Sequence, residues 1–327
     1  MLSTLKWLVI AAAVVHFISV SNDSSQSEVT SMSQTQESKQ TELLEWTDEQ
    51  RERVNFGKYE LPPTLRKLND VQQELGGTEQ LYDALHFYLV EGDSRYFNTP
   101  SDVVVFGTTG MDGIHYGFLT DYGTVADLEE APVVCVSPMD FDRPVWLVAR
   151  NLREFLRLNL TDADLTINHF QDEPSYLEAK RQFAEEAAAS PYQPSEEELR
   201  SRQEAVSLLL KRIELPEIVH PFGYLETVRE ERLARITVQT QDGLGVTEPL
   251  EAGHESAVLP IRKDKTLEPD ALKRYLAEAS RASKLALFRD IQMHMVLSEE
   301  REVRTMVVAE LRRLGLAEEA GRIEAEG

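Results

Sequence analysis

Asp112, His115, Asp121, Asp140 and Asp142 are the residues of this 327-residue chain whose types and spacing point to chemistry. Asp112-x-x-His115 sets a carboxylate beside an imidazole, a pair suited to holding a hard cation or exchanging a proton near neutral pH. Asp140-Phe141-Asp142 puts two carboxylates on one side of an extended loop. Metal-dependent hydrolysis by Asp112, His115, Asp140 and Asp142 is the reaction such a set would serve. A structural explanation competes strongly, because Asp in tight turns caps backbone N–H groups and tolerates unusual dihedrals. Walker-type phosphate loops, HExxH, GxSxG and dinucleotide fingerprints are all absent from the sequence. The sequence therefore assigns no catalytic residue, no cofactor and no metal. Contact with a partner is the remaining use. His115 and Tyr116 lie on opposite faces of a strand, which turns one of them to solvent, and the expected partner-binding set is His115, Tyr116, Asp121, Tyr122, Asp140 and Asp142.

These residues need a sheet to position them. Asp102 to Phe106 is a β-branched run bounded by Pro100 and Gly107 and predicts a strand. Gly107 to Gly113 is a turn cluster, and Ile114 to Leu119 alternates as a second strand, so the two runs form a hairpin. Pro132 to Val136 is a third strand with Cys135 inside it, where a buried, inert thiol is expected. Pro138 to Pro144 is too rich in Pro and Asp to be anything but loop. Val145 to Leu158, with Val148, Leu152, Phe155 and Leu156 on one face, predicts a helix. Upstream, Thr47 caps one helix, Thr64 opens a second that Gly76-Gly77 stops, and a third runs from Thr78 to just before Gly92 on Leu81, Leu85 and Leu89.

Beyond Asp162 the composition shifts to Glu, Ala, Leu and Arg, and the expected structure is mostly helical. Helices are predicted near Glu178 to Ala189 and from Glu196 to Ile213, the latter opened by Ser195. A strand is predicted from Arg235 into a Gly-containing turn, followed by helices over Pro269 to Leu297 and Ser298 to Leu314, and a short last helix beyond Gly315.

With 34 Lys+Arg against 57 Asp+Glu the formal charge is -23. Such a field repels polyphosphate backbones and anionic lipid, so nucleic acid is not expected as a partner. The single cysteine excludes an internal disulfide. Lys6 ahead of the apolar run Trp7 to Val20 reads as a secretory signal over residues 1–21, too short for a stable membrane span. The competing reading takes Met32 as the true start of a cytoplasmic protein; the signal reading has the protein exported. Residues 22–42 read as a disordered linker, 43–160 as an α+β domain and 161–327 as a mostly helical C-terminal region.

Leu61-Pro62-Pro63 with its following helix, Gly110-Met-Asp-Gly113-Ile-His-Tyr116, Ala131-Pro-Val-Val-Cys-Val136, Val148-Ala149 and Leu152-Arg-Glu-Phe155-Leu156 resemble, in order, the landmarks of the SUKH superfamily. That superfamily includes yeast cell-wall-synthesis regulators of the SMI/KNR type and many bacterial immunity proteins. The resemblance covers roughly Leu43 to Leu160. It implies an α+β fold in which a curved, mainly antiparallel sheet is packed by helices, and a binding function without catalysis. The expected function is thus a protein-binding module, a bacterial immunity protein that neutralises a basic toxin through an acidic surface. The alternatives are the metal-dependent hydrolase and a regulatory scaffold whose helical half supplies a partner groove.

Overall fold

The computed structural model describes residues 47–90, 95–251, 253, 256, 258–262 and 266–325. The signal-like run, the alternative start at Met32 and the 22–42 segment lie outside the described residues. Contacts divide the chain into two units, one of Met1–Glu45 with Leu177–Pro194 and one of Trp46–Tyr176 with Ser195–Gly327. In the first, the described stretch is a polar helix tail in which Arg181 pairs with Glu178 and Glu185 on its own surface. The sheet belongs to the second unit.

Helix α1 (Asp48–Phe56) starts at a reciprocal capping box between Thr47 and Gln50. Helix α2 (Pro63–Leu75) buries Leu65, Leu68 and Val71 on one face and ends at Gly76 in the left-handed conformation. Its N-terminus is capped from a distance: the Thr64 N–H and hydroxyl both donate to Glu129, at 3.0 and 2.5 Å. Helix α3 (Thr78–Leu85) stops earlier than its leucine spacing predicts, at His86 with φ 56°. The chain then extends into strand β1 (Tyr88–Leu89), which pairs antiparallel with the end of β2 (Val103–Thr108). Phe87 decides this, being fully buried against Gly107, where a Cβ would lie 2.8 Å from the Phe87 ring. A helix continuing to Leu89 would forfeit that contact.

Strands β3 (His115–Leu119), β4 (Val133–Val136) and β5 (Val145–Ala149) complete a five-stranded antiparallel sheet in sequence order. The Val145 segment is a strand, contrary to the helix its spacing predicts. All five of its residues are buried, and helix α4 (Leu152–Thr161) begins only after Asn151, whose side chain accepts the Glu154 N–H. The unbroken apolar runs Val103–Val105 and Val133–Val136 follow from burial on both faces. Val104, Phe106, Tyr116, Phe118, Cys135 and Trp146 meet residues of α2, α3 and α4, such as Leu68, Leu85 and Phe155. Val103, Val105, Leu119, Val134, Val136, Val145 and Leu147 meet Val228 and Leu244 on the other side. Burial raises the Cys135 thiol far above its ordinary range, which keeps it protonated.

The rest is helical: α5 (Asp164–Ile167), α6 (Glu173–Ala189), α7 (Glu196–Arg212), α8 (Pro221–Leu233), α9 (Pro269–Glu278), α10 (Arg281–Met293), α11 (Val296–Glu299), α12 (Arg301–Arg313) and α13 (Ala317–Ala325). The protein is therefore α+β with a mainly helical C-terminal region. The strand predicted from Arg235 reduces to one bridge, Val238 with Val246. The helix predicted over Pro269 to Leu297 is three, broken where Ser280 caps α10 and where Met295 turns left-handed. Helix α10 is buried nearly all round, and Leu285, Phe288 and Ile291 join Leu272, Val303, Val307, Leu311 and Ile323 in a second core. Among the described residues, no helix is long and apolar enough to cross a membrane.

Candidate functional site

The strand register separates the sequence-predicted residues between the two ends of the sheet. Thr108 faces His115, His115 faces Val136 and Val136 faces Val145, so the β2–β3 turn and the β4–β5 loop emerge at one end. Asp112, His115, Asp140 and Asp142 belong to that end. Val103 faces Leu119 at the other, which places Asp121 and Tyr122 beyond the opposite edge. Asp121 therefore does not share an end of the sheet with Asp112, His115, Asp140 and Asp142.

At the first end, the β2–β3 turn is closed by the Thr109 N–H on the Ile114 carbonyl and the Ile114 N–H on the Met111 carbonyl, both 2.9 Å. Asp112 occupies a left-handed position at φ 50°, and Gly110 and Gly113 also have positive φ. In the loop after β4, the Asp140 carboxylate accepts the Arg143 backbone N–H at 3.2 Å, a turn-capping role. The segment 95–100 covers part of this end. The Tyr96 ring lies so close over Gly113 that a Cβ there would approach it to 2.5 Å, and Tyr96 stacks on His115 with centroids 5.9 Å apart. Asn98 donates to the Pro138 carbonyl at 3.2 Å, tying this segment to the second loop.

His115 is fully buried beneath that cover, and so is Tyr116 on the opposite face, at 0 and 1 % exposure. Neither is available to a partner, contrary to the expectation that one faces solvent. The alternation is as predicted, but both faces of the sheet are covered. The Gly113 carbonyl can only accept, so His115 Nδ1 carries the proton donated to it at 2.7 Å. Its Nε2 then accepts from the Thr99 hydroxyl at 3.0 Å. Burial lowers the imidazole to about 4, with the Gly113 hydrogen bond opposing and Arg95 assisting the shift. Both nitrogens are committed, which removes the general base from the hydrolase reading. Among the described residues, no group of three His, Cys, Asp or Glu side chains is arranged to hold a metal ion.

What this end presents to solvent is largely apolar and acidic, with Arg143 an exposed cation next to Asp142. Tyr96, Phe97, Met111, Met139 and Phe141 are 39–55 % exposed. Asp112 and Asp142 are exposed among them and Asp140 is partly so. Beside the turn opens a hollow of about 370 Å³ lined by Arg95, Tyr96, Thr108, Gly110 and Gly113. The predicted set omitted these apolar side chains, although Met139 and Phe141, standing in a loop otherwise built of Pro and Asp, were the available signal. A larger hollow of about 790 Å³ lies among α11, α12 and α13. Of the arginines that line it, Arg304 donates to the Ile323 carbonyl and Arg312 pairs with Glu324 at 2.6 Å.

The opposite end is closed. Asp121 and Tyr122 are buried, both in left-handed conformations at φ 47° and 53°. Arg232 of α8 holds Asp121 in a two-pronged pair at 2.6 and 2.7 Å and also donates to the Leu244 and Gly245 carbonyls. Arg289 of α10, fully buried, pairs with Asp102 at 2.5 Å and with Asp121 at 3.3 Å. Burial pushes the Asp121 carboxyl up, but Arg232 and Arg289 together hold it below the usual carboxylate range. Arg322 of α13 donates to the Asn55 and Ser101 carbonyls at 2.8 and 2.9 Å, and the Tyr122 hydroxyl donates to the Leu285 carbonyl at 3.0 Å. Gln292 of α10 accepts the Ser101 N–H and donates to the Thr99 carbonyl. Asp121 and Tyr122 thus bind the chain's own C-terminal helices, which occupy the place expected for a partner.

No known protein-family model matches the chain, and no curated protein matches it.

Proposed function

We propose that the chain is a non-enzymatic protein-binding module with a SUKH-like sheet, and that it docks a basic protein through the open end of that sheet. The observation that supports this is the grouping of Tyr96, Phe97, Met111, Met139 and Phe141 with Asp112 and Asp142 on one exposed end. Aromatic and Met side chains in such a patch are the types that supply binding energy once desolvated, and the acidic rim sets the sign of the partner. The net charge of -23 would speed encounter with a basic surface, such as that of a nuclease toxin, in keeping with an immunity role.

The test is co-purification from the native host with the wild-type chain and a Met139→Ser, Phe141→Ser, Asp142→Lys variant, followed by mass spectrometry. The expected result is a basic protein retained by wild type and weakened at least tenfold by the variant. Retention by an Arg312→Glu control at the α12 hollow should be unchanged. Equal capture by the open-end variant would refute the assignment of this surface.

A further inference from the structure

The exposed apolar side chains of the open end come from three separate stretches of sequence, and one imidazole ties the three together. His115 Nδ1 donates to the Gly113 carbonyl at 2.7 Å, which fixes the turn that carries Met111. Its Nε2 accepts from the Thr99 hydroxyl at 3.0 Å, and that oxygen in turn accepts the Tyr96 N–H at 2.9 Å. The Thr99 N–H donates back to the Tyr96 carbonyl at 2.8 Å, so the segment 96–99 closes on itself around the group that His115 holds. From this segment Asn98 donates to the Pro138 carbonyl, one residue before Met139 and three before Phe141. Tyr96, Phe97, Met111, Met139 and Phe141 therefore all stand within three residues of a group held by His115, directly or through the segment 96–99.

These bonds need a neutral imidazole. The Thr99 hydroxyl has one proton, given to Nε2, and already takes the Tyr96 N–H. A proton on Nε2 turns that acceptor into a donor, so the hydroxyl must swing away and its own proton loses its acceptor. The charge so formed lies beneath the Tyr96 ring, fully buried, and the guanidinium of Arg95 acts on it as a like charge. Its strand neighbours Thr108 and Val136 are neutral, as is Gln292 of α10, which bonds the Thr99 carbonyl. Asp112 on the turn, and Asp140, Asp142 and Arg143 on the loop after β4, stand at the same end, with Asp140 capping the Arg143 N–H. Arg95 also donates to the Val103 and Pro100 carbonyls at 2.6 and 2.8 Å, which anchors the covering segment to the start of β2 and keeps any opening local.

We infer that His115 is an acid-released clasp of the docking surface: neutral, it holds the turn, the segment 96–99 and the loop after β4 in one arrangement, and on taking up a proton it frees them. A basic protein is then bound near neutral pH and let go in acid. The inference rests on the docking proposed above. The element with two states is the segment 96–99, closed by two hydrogen bonds to the Thr99 hydroxyl and one ring stack, and open once the imidazole is charged. Holding three stretches in place before contact spares a partner the cost of ordering them, and the clasp makes that saving depend on pH.

Hydrogen exchange of the full-length chain, followed by mass spectrometry from pH 7 to pH 5 and corrected for the intrinsic pH dependence of amide exchange, tests the clasp with no partner present. The covered imidazole titrates near 4 and a free one near 6.5, so the open form should become about twentyfold more populated between pH 7 and pH 5. That is read as lost protection in residues 95–100 and 109–114, with α10 unchanged. In His115→Gln the loss should vanish. Protection that does not fall in the wild type, or that falls by the same factor in α10, would overturn the inference, and this comparison needs no variant to fold. A fall that persists in His115→Gln would overturn it too. In a second arm, protein captured by the wild-type chain at pH 7 should elute at least tenfold faster at pH 5, and equal retention at both would count against the clasp. Capture of no basic protein at pH 7 would refute the docking reading alone, since exchange reads the clasp by itself.

Discussion

The two ends of one five-stranded sheet are built from similar residues and do opposite work. Both carry Asp, Tyr and left-handed turn positions. At the end formed by Asp102, Asp121 and Tyr122, arginines from α8, α10 and α13 reach over the strand termini and every charge is enclosed. At the end formed by Asp112, Asp140 and Asp142, Met111, Met139 and Phe141 are 40–55 % exposed beside the carboxylates. Residue type therefore does not mark a site. What separates them is whether the rest of the chain supplies a counter-charge, because an enclosed and paired carboxylate is spent on cohesion while an exposed one is available.

The sharpest way to break the comparison is to remove a cation from the closed end. Arg289→Met leaves Asp102 buried without its counter-ion and strips Asp121 of one of two, an expected loss of about 3–5 kcal/mol in urea unfolding. Asp102→Asn combined with Arg289→Met should lose much less than the two single losses added, since the carboxylate and its missing partner disappear together. A single-variant loss under about 1 kcal/mol would mean that the closed end is not held by these charges.

Smaller is the pH dependence seated at the open end. An unfolded imidazole takes up its proton near pH 6.5, whereas buried His115 does so only near 4. Between those values the unfolded chain binds more protons, so stability from His115 is complete above about pH 6.5 and is lost as pH falls toward 4, by about 3 kcal/mol if the whole shift is realised. His169, also brought down to about 4, acts in the same direction. Asp290, raised to about 6 mainly by burial, acts in reverse: the native state holds its proton more tightly, so stability falls as pH rises from about 4 to 6. His86, lowered by burial, acts with the two imidazoles, and Glu319 and Asp83, raised by burial, act with Asp290. Urea unfolding across this range should show acid destabilisation, and in His115→Gln that slope should shrink even though the variant is weaker at pH 7. An unchanged slope would show that the Tyr96 cover does not exclude the proton.

How much of this was legible depended on how far away each residue's partner lay. Thr47 with Gln50, Ser195 with Glu198 and Gly76 at the end of α2 are local arrangements, and the sequence displays them. Val145 to Ala149 satisfied helical spacing through Val148 and Leu152, and only pairing with β4 makes it a strand. Tyr88 was likewise drawn out of a helix by β2, a contact that Gly107 permits. Asp121 looked like an accessible turn acid because its partners, Arg232 and Arg289, stand 111 and 168 positions away. His115 looked half-exposed because its cover, Tyr96, comes from before β2. The open end's aspartates were legible as turn residues, and the Met and Phe beside them were the unread part of the same signal.

The smallest expected effect completes the contrast. Met111→Ser, Met139→Ser and Phe141→Ser each remove apolar surface that is already substantially in water, so each should change unfolding free energy by no more than about 0.5 kcal/mol. An exposed apolar side chain that contributes little to the fold is what the docking proposed above would use. If the serine variants proved as costly as Arg289→Met, the open end would be a second closed end, with its Met and Phe acting as core in solution, and the surface assigned to docking would vanish. Urea midpoints for the three variants beside Arg289→Met, measured at one pH, decide between those two descriptions of the sheet.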